Sequence, residues 1–251
     1  MSNSNDELTP IKGDQIAEVN LLPQLVEIEN IVMNTCEYFL KGNLIMDNPP
    51  FKGFILIGEP GTGKTELVKQ VARKLHRRLG DVDFLLLDGA SIAAPKWGEA
   101  EKKLKGIFSR INDENSNSKT IILFDDIESL MLTRGTDLAK EWHYSINSIL
   151  FHELDRLNPN NTIIFATTNR EDLVDEAILT RLYRIKAPNL PVDQLMDIVD
   201  NILKRGRADE NKRDYVRGEI EKRLNEMDSP TIRDAMHITV VECIEKRLWS
   251  S

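Results

Sequence analysis

The stretch "GEPGTGKTEL", residues 58–67, constrains the fold more than any other part of the chain. An apolar run, "FKGFILI", leads into it, and the helical pattern "VKQVARKLHRRLG" leads out. A strand that turns through glycines into a helix is a phosphate-holding device. The glycines let backbone N–H groups converge on phosphate oxygens. A lysine reaches the β- and γ-phosphates, and the next hydroxyl suits Mg²⁺. A helix beginning near Gly63 directs its positive end at the anion. Gly58, Glu59, Pro60, Gly61, Thr62, Gly63, Lys64, Thr65 and Glu66 are therefore the candidate nucleotide-binding residues. The bare pattern arises by chance in about one chain in a hundred of this length, and the flanking strand and helix narrow that further.

From here apolar runs alternate with helical patterns. "VDFLLLDG", "KTIILFDD", "NTIIFATTN" and the short "RIKAP" read as strands, separated by "AEKKLKGIFSRI" and "WHYSINSILFHELDRL" as helices. Continuous apolar strands divided by helices imply an α/β fold with a parallel sheet covered on both faces. Ahead of the first strand, residues 15–40 carry apolar side chains at helical spacing and predict a helix, broken by "NPPFKG". After Pro191 the strands stop. Three amphipathic patterns follow, the last opened by Ser229-Pro230. The expected organisation is a disordered polar tail over 1–12, an α/β nucleotide-binding domain over 13–190 and a small all-α domain over 191–251.

"IILFDDIESL" places Asp125 and Asp126 at the end of a wholly apolar strand, where ligands gather in parallel sheets. One carboxylate there can hold Mg²⁺, directly or through water, and a second can orient and deprotonate an attacking water.

The 251 residues carry a net charge of −8, which argues against general nucleic-acid binding. The N-terminus has neither a basic start nor an apolar core, so no signal peptide is expected. No apolar run approaches membrane-spanning length, and the expected location is cytoplasmic. Cys36 and Cys243 stand far apart and read as reduced thiols. The four histidines show no metal-ligand spacing.

Taken together these motifs resemble an AAA+ ATPase module of the AAA, protein-remodelling branch. "NPPFKGFILIGEPGTGKTELVKQVA" resembles its phosphate-loop (Walker A) segment and "IILFDDIESL" its Walker B strand. "IIFATTNREDLVDEAILTRLYRIKAPNLP" is similar to the sensor-1 strand and second region of homology, and "SPTIRDA" to the sensor-2 helix of the lid. The resemblance covers residues 15–249 and implies ATP and Mg²⁺ as ligands, with a P-loop sheet followed by a helical lid. By position it implies that Lys64 contacts the β/γ-phosphates, that Thr65 and Asp125 hold Mg²⁺, and that Asn169 is sensor 1. It further implies Arg181, with Arg184 as a second candidate, as an arginine finger acting on a neighbour's nucleotide, and Arg233 as sensor 2. Asp126 takes the place of the catalytic base.

Two departures stand out. The family's usual Asp-Glu pair is here Asp125-Asp126, which shortens the base by one C–C bond, about 1.5 Å; proton abstraction is sensitive to such a shift. Glu128 is not expected to substitute, because the strand direction points it elsewhere. In "APKWGEAEKKLKGIF" the Gly98-Glu99 pair of the family's pore segment is present, but Lys96 occupies the aromatic position and Trp97 follows it. The implied function is ATP-driven remodelling or unfolding of a protein partner by a ring, a hexamer of this chain, with substrate choice assigned to an adaptor, the tail or the ring surface. Two alternatives remain: a loader or regulator acting on DNA-associated machinery, and a slow-turnover ATP-dependent scaffold.

Overall fold

The computed structural model describes residues 10–42, 49–92, 99–111, 118–130, 137–205 and 210–248. The chain divides into two compact units: residues 1–57 with 64–186, and the loop 58–63 with residues 187–251.

The first unit is an α/β unit. Its strands are β1 (Ile11–Lys12), β2 (Gly53–Ile57), β3 (Val82–Asp88), β4 (Lys119–Asp125), β5 (Thr162–Thr168) and β6 (Tyr183–Lys186). They form one sheet in the order β1-β3-β4-β5-β2-β6. All pairings are parallel except β1 with β3. The central strands β2 and β5 are buried at every position, as strands covered on both faces must be. Around the sheet run α1 (Pro23–Leu40), α2 (Lys64–Leu79), the single turn α3 (Gly89–Ile92), α4 (Glu99–Ile111), α5 (Asp137–Arg156) and the short α6 (Glu176–Leu179). A continuous core joins Ile55, Leu85, Ile122, Phe124 and Ile164 of the sheet to Leu104 and Phe108 of α4 and Ile146 and Leu150 of α5. Burying apolar surface of this kind is the main stabilising term, at about 25 cal/mol per Å².

Register decides what gathers at the strand ends. Asp88 lies opposite Asp125, Phe124 opposite Ala166, and Leu56 and Ile57 opposite Thr167 and Thr168. The carboxyl ends of β2, β4 and β5 therefore finish side by side, and the loops leaving them share one edge.

Two local expectations change. The helix read over 15–40 begins only at Pro23, with Leu22 extended before it (φ −68°, ψ 154°). A residue ahead of proline is pushed away from helical backbone angles, and proline favours the first helical position. The carbonyls this leaves open are met from α2: Arg73 Nε donates to Ile16 O at 2.9 Å and Gln70 Nε2 to Ala17 O at 2.8 Å. The tail read over 1–12 also ends in structure, since Ile11 and Lys12 pair antiparallel with Phe84 and Asp83. Residues 1–9 lie outside the described part.

The second unit is helical apart from its loop, with α7 (Val192–Leu203), α8 (Glu210–Asn225) and α9 (Ile232–Glu245). α8 buries Val216, Ile220 and Leu224, one stripe at four-residue spacing. α8 lies against α7, where Leu195, Met196, Val199 and Leu203 are buried, and against α9, where Ala235 and Cys243 are buried. α9 is opened by Thr231, whose hydroxyl accepts from the Asp234 N–H while the Asp234 carboxylate accepts from the Thr231 N–H. This reciprocal cap satisfies two N–H groups that a bare helix start leaves open.

Candidate functional site

In the α/β unit a polar cluster forms where β4 and β5 end. Lys64, the first residue of α2 and 6% exposed, donates from Nζ to Asn169 Oδ1 at 2.8 Å. Asn169 stands directly after β5, and its Nδ2 donates to Asp126 Oδ1 at 3.0 Å. One amide thus bridges the lysine and the carboxylate, acceptor side to the cation and donor side to the anion. Its backbone N–H donates to Glu128 Oε1 at 3.0 Å, so both faces of the residue are held.

Beside this bridge lies a second arrangement. The Thr65 hydroxyl donates to Asp125 Oδ1 at 2.7 Å, and the buried Thr167 hydroxyl donates to the same oxygen at 2.5 Å. Thr167 also accepts the backbone N–H of Asp126 at 3.0 Å, which fixes the turn leaving β4. Asp126 itself has φ +49°, in the left-handed region that aspartate enters more readily than most residues. Strain of this kind occurs where a chain must aim a side chain. Burial, reinforced by the charges of Asp125 and Glu128, pushes the Asp126 carboxyl above the ordinary aspartate range. Lys64 and the Asn169 hydrogen bond pull the other way.

In the helical unit, the loop Gly58–Gly63 turns through Gly61 (φ +80°) and Gly63 (φ +92°). At Gly61 a Cβ would stand 2.8 Å from Arg233 Cβ and 2.9 Å from Thr231 Oγ1, so only glycine fits. The Thr62 hydroxyl donates to Glu59 O at 2.9 Å and closes the loop on itself. Glu59, Pro60, Ser229, Thr231, Arg233 and Asp234 line a cavity of about 310 Å³. Arg233, on the first turn of α9, makes no ion pair among the described residues.

The two finger candidates are engaged within their own chain. Arg181 forms a two-pronged ion pair with Asp155, at 2.7 and 2.8 Å, and donates from Nη1 to Ala177 O at 2.8 Å. Its guanidinium also lies 5.3 Å from the centre of the Phe151 ring. Arg184, on β6, pairs with Glu176 at 2.6 Å and Glu171 at 3.6 Å. Glu66, on the first turn of α2, accepts from Gln70 Nε2 at 2.7 Å. Lys96 and Trp97 lie outside the described residues.

Glu128 departs from the expectation that it points away from the strand ends. A short 3₁₀ turn, Ile127–Leu130, carries it back to the end of β5, where it is 6% exposed. Thr167 belongs to the cluster although none of the motifs singles it out. Its signal is a threonine inside a strand buried on both faces, a place where a hydroxyl needs a partner.

The donor set suits the ligands the motifs imply. Thr65 and Asp125 offer the hard oxygens that Mg²⁺ takes, while no group of three or more His, Cys, Asp or Glu among the described residues forms an all-protein metal cage.

Comparison with known proteins identifies the family. Residues 54–189 match the family model described as ATPase family associated with various cellular activities (AAA). An "AAA ATPase forming ring-shaped complexes" of Corynebacterium efficiens is 36% identical over 152 residues, covering 57% of this chain and 29% of that protein. A "Proteasome-associated ATPase" of Arthrobacter sp. (strain FB24) is 37% identical over 138 residues, covering 51% of this chain and 23% of that protein. The chain thus spans less than a third of the length of these curated relatives. The crystal structure of the FIGL-1 AAA domain in complex with ADP superposes with a TM-score of 0.63 at 19% identity, over 94% of this chain and 87% of that one, a likeness of fold. With the family model matched across more than half its length, the chain belongs to the AAA family of ATPases.

Proposed function

We propose that the chain binds and hydrolyses ATP within a ring-shaped assembly, and that the cycle drives remodelling of a protein partner. The observation that carries the chemistry is the Asn169 amide held between Lys64 Nζ and Asp126 Oδ1. It sets a phosphate-binding cation and a carboxylate base on either side of one rigid side chain. The backbone N–H groups of Gly58–Gly63 and the Lys64 ammonium hold the phosphates. Thr65 and Asp125 hold Mg²⁺, which when bound neutralises charge developing on the transferred phosphoryl group. Asp126 accepts a proton from the attacking water at its carboxylate, whose raised proton affinity strengthens it as a base. Asn169 orients that water, and Arg233 takes the sensor-2 role that the family resemblance implies.

Relatives described as forming ring-shaped complexes support self-assembly, and the proteasome-associated relative supports a protein substrate. In such a ring, taken here as a hexamer, Arg181 or Arg184 acts on the nucleotide of the neighbouring subunit. Arg181 then exchanges its Asp155 partner for phosphate oxygens.

The test is phosphate release by the purified chain with Mg·ATP, alongside light scattering of its assembly with a slowly hydrolysed ATP analogue. Turnover that disappears in Lys64→Ala, together with analogue-dependent assembly, is the expected result. Assembly without phosphate release would replace the hydrolase with a nucleotide-dependent scaffold. Turnover stimulated by DNA, and by no protein, would redirect the partner assignment.

A further inference from the structure

Glu128 is a buried acid at the strand ends of the α/β unit whose place is not explained by metal or proton transfer. It is 6% exposed, and it spends Oε1 on the backbone N–H of Asn169. Its Oε2 is buried and has no hydrogen-bond partner among the described residues. Leaving a buried carboxylate oxygen unpaired is costly, and the single hydrogen bond of Oε1 offsets only part of that cost. The turn carrying it is otherwise apolar inside, with Ile127 and Leu130 both buried. The one contact that accounts for an acceptor here is the Asn169 N–H.

The position of Asn169 shows what that contact does. Asn169 sits at the end of β5, beyond the last paired residue Thr168, so the sheet ladder no longer fixes its backbone. The Glu128 hydrogen bond replaces that support at the point where the Asn169 side chain must face both Lys64 and Asp126. Asp126 precedes Glu128 by two residues, and its carbonyl accepts the Ser129 N–H at 2.9 Å, so the same tight turn aims base and brace. Resting on the hydrolase reading above, we propose that Glu128 is a positioning residue: by gripping the Asn169 backbone it fixes the amide that aligns Asp126 and Lys64. With that alignment fixed from behind, the short Asp126 side chain keeps one defined direction in place of the reach of a longer acid. Displacement of such a group by about 1 Å is enough to cost on the order of 100-fold in rate.

The experiment compares Glu128→Gln, which keeps a carbonyl acceptor for the Asn169 N–H, with Glu128→Leu, which fills the space without one. Three readouts are taken: hydrogen exchange of the Asn169 amide in the nucleotide-free protein, nucleotide affinity, and turnover. In Glu128→Leu the Asn169 amide exchanges roughly tenfold faster, as expected on losing one such bond. Its kcat falls about 10- to 100-fold while nucleotide affinity changes less than about threefold, a loss confined to the chemical step. Glu128→Gln stays within about threefold of the parent in kcat and in exchange. Adding Asn169→Ala to Glu128→Leu produces little further loss, since both act through one amide.

Unchanged Asn169 exchange in Glu128→Leu, or losses that simply multiply with Asn169→Ala, overturns the positioning role. If Glu128→Gln falls as far as Glu128→Leu in kcat with Asn169 exchange intact, the carboxylate acts by its charge and the positioning role is likewise overturned. Absence of turnover in the parent protein overturns the hydrolase reading instead, and the exchange comparison then judges the grip of Glu128 on Asn169 by itself.

Discussion

Asp126 concentrates opposing demands on a single residue. Its carboxyl is held above the ordinary range, first by burial and then by Asp125 and Glu128. A carboxyl whose folded pKa exceeds its unfolded value of about 3.9 costs stability at neutral pH, and that cost fades as pH falls through the raised folded value and is gone below the unfolded one. Asp126→Asn keeps an oxygen for the Asn169 Nδ2 donor but removes the charge. We therefore expect its nucleotide-free melting temperature to rise at pH 7 and to converge with the parent below about pH 4. Its turnover should fall by about 100-fold or more, the usual scale of a lost general base. Thermal scans and phosphate release on the same samples check both; a lower melting temperature at pH 7 would contradict the sign. Gly61 shows the reverse case, a residue kept for what it lacks. Gly61→Ala places a methyl 2.8 Å from Arg233 Cβ at φ +80°. The left-handed backbone alone costs about 1–2 kcal/mol for an L-residue, so the loop must shift. Nucleotide affinity, measured by fluorescent-analogue titration, is expected to drop by roughly tenfold or more.

At the scale of elements, the helices are governed by their first turns. α1 starts at Pro23 because proline both ends the extended segment before it and fits the first helical position. α9 starts at Ile232 because Thr231 and Asp234 cap one another. Thr231→Ala removes one half of that cap and is expected to lower stability by about 1 kcal/mol, read from denaturant midpoints. Because Thr231 also lines the cavity beside Arg233, nucleotide affinity should weaken in the same variant. Thr231→Ser, which restores the hydroxyl, should recover both. The strands behave differently. Their burial on both faces is evident from unbroken apolar runs, whereas the antiparallel pairing of Ile11 and Lys12 with β3 is not. Two residues carry no periodicity, and only the neighbouring strand gives them a partner.

For the whole molecule, ion pairs, most of them between segments distant in sequence, set the response to acid. Asp155 is held below the ordinary range first by its hydrogen bonds to Arg181, Glu37 by those to Lys41 and Arg78, and Asp81 by Lys12. Carboxyls depressed in this way contribute stability above their unfolded values of about 4, and lose it as pH falls through the lower folded values. Denaturant midpoints should therefore be level near neutral pH and decline below about pH 4, less steeply at high salt because the pairs lie near the surface. A midpoint that rose as pH fell below about 4 would contradict this balance. Much of the molecule is legible in one dimension. The phosphate loop and the parallel sheet follow from local pattern, because glycines and apolar runs are each demanded by neighbouring residues, whereas the role given to Asn169 comes from the family resemblance and belongs to the proposed function. What the tertiary structure decided is which of these groups meet. Sheet register brings Thr167 to Asp125 across two strands, and a four-residue turn brings Glu128 to Asn169. The same folding engages Arg181 with Asp155, 26 residues away in sequence. Sequence determines the chemistry a residue carries and the element it joins. Partners distant along the chain are chosen by register and packing, to which no short stretch of sequence has access.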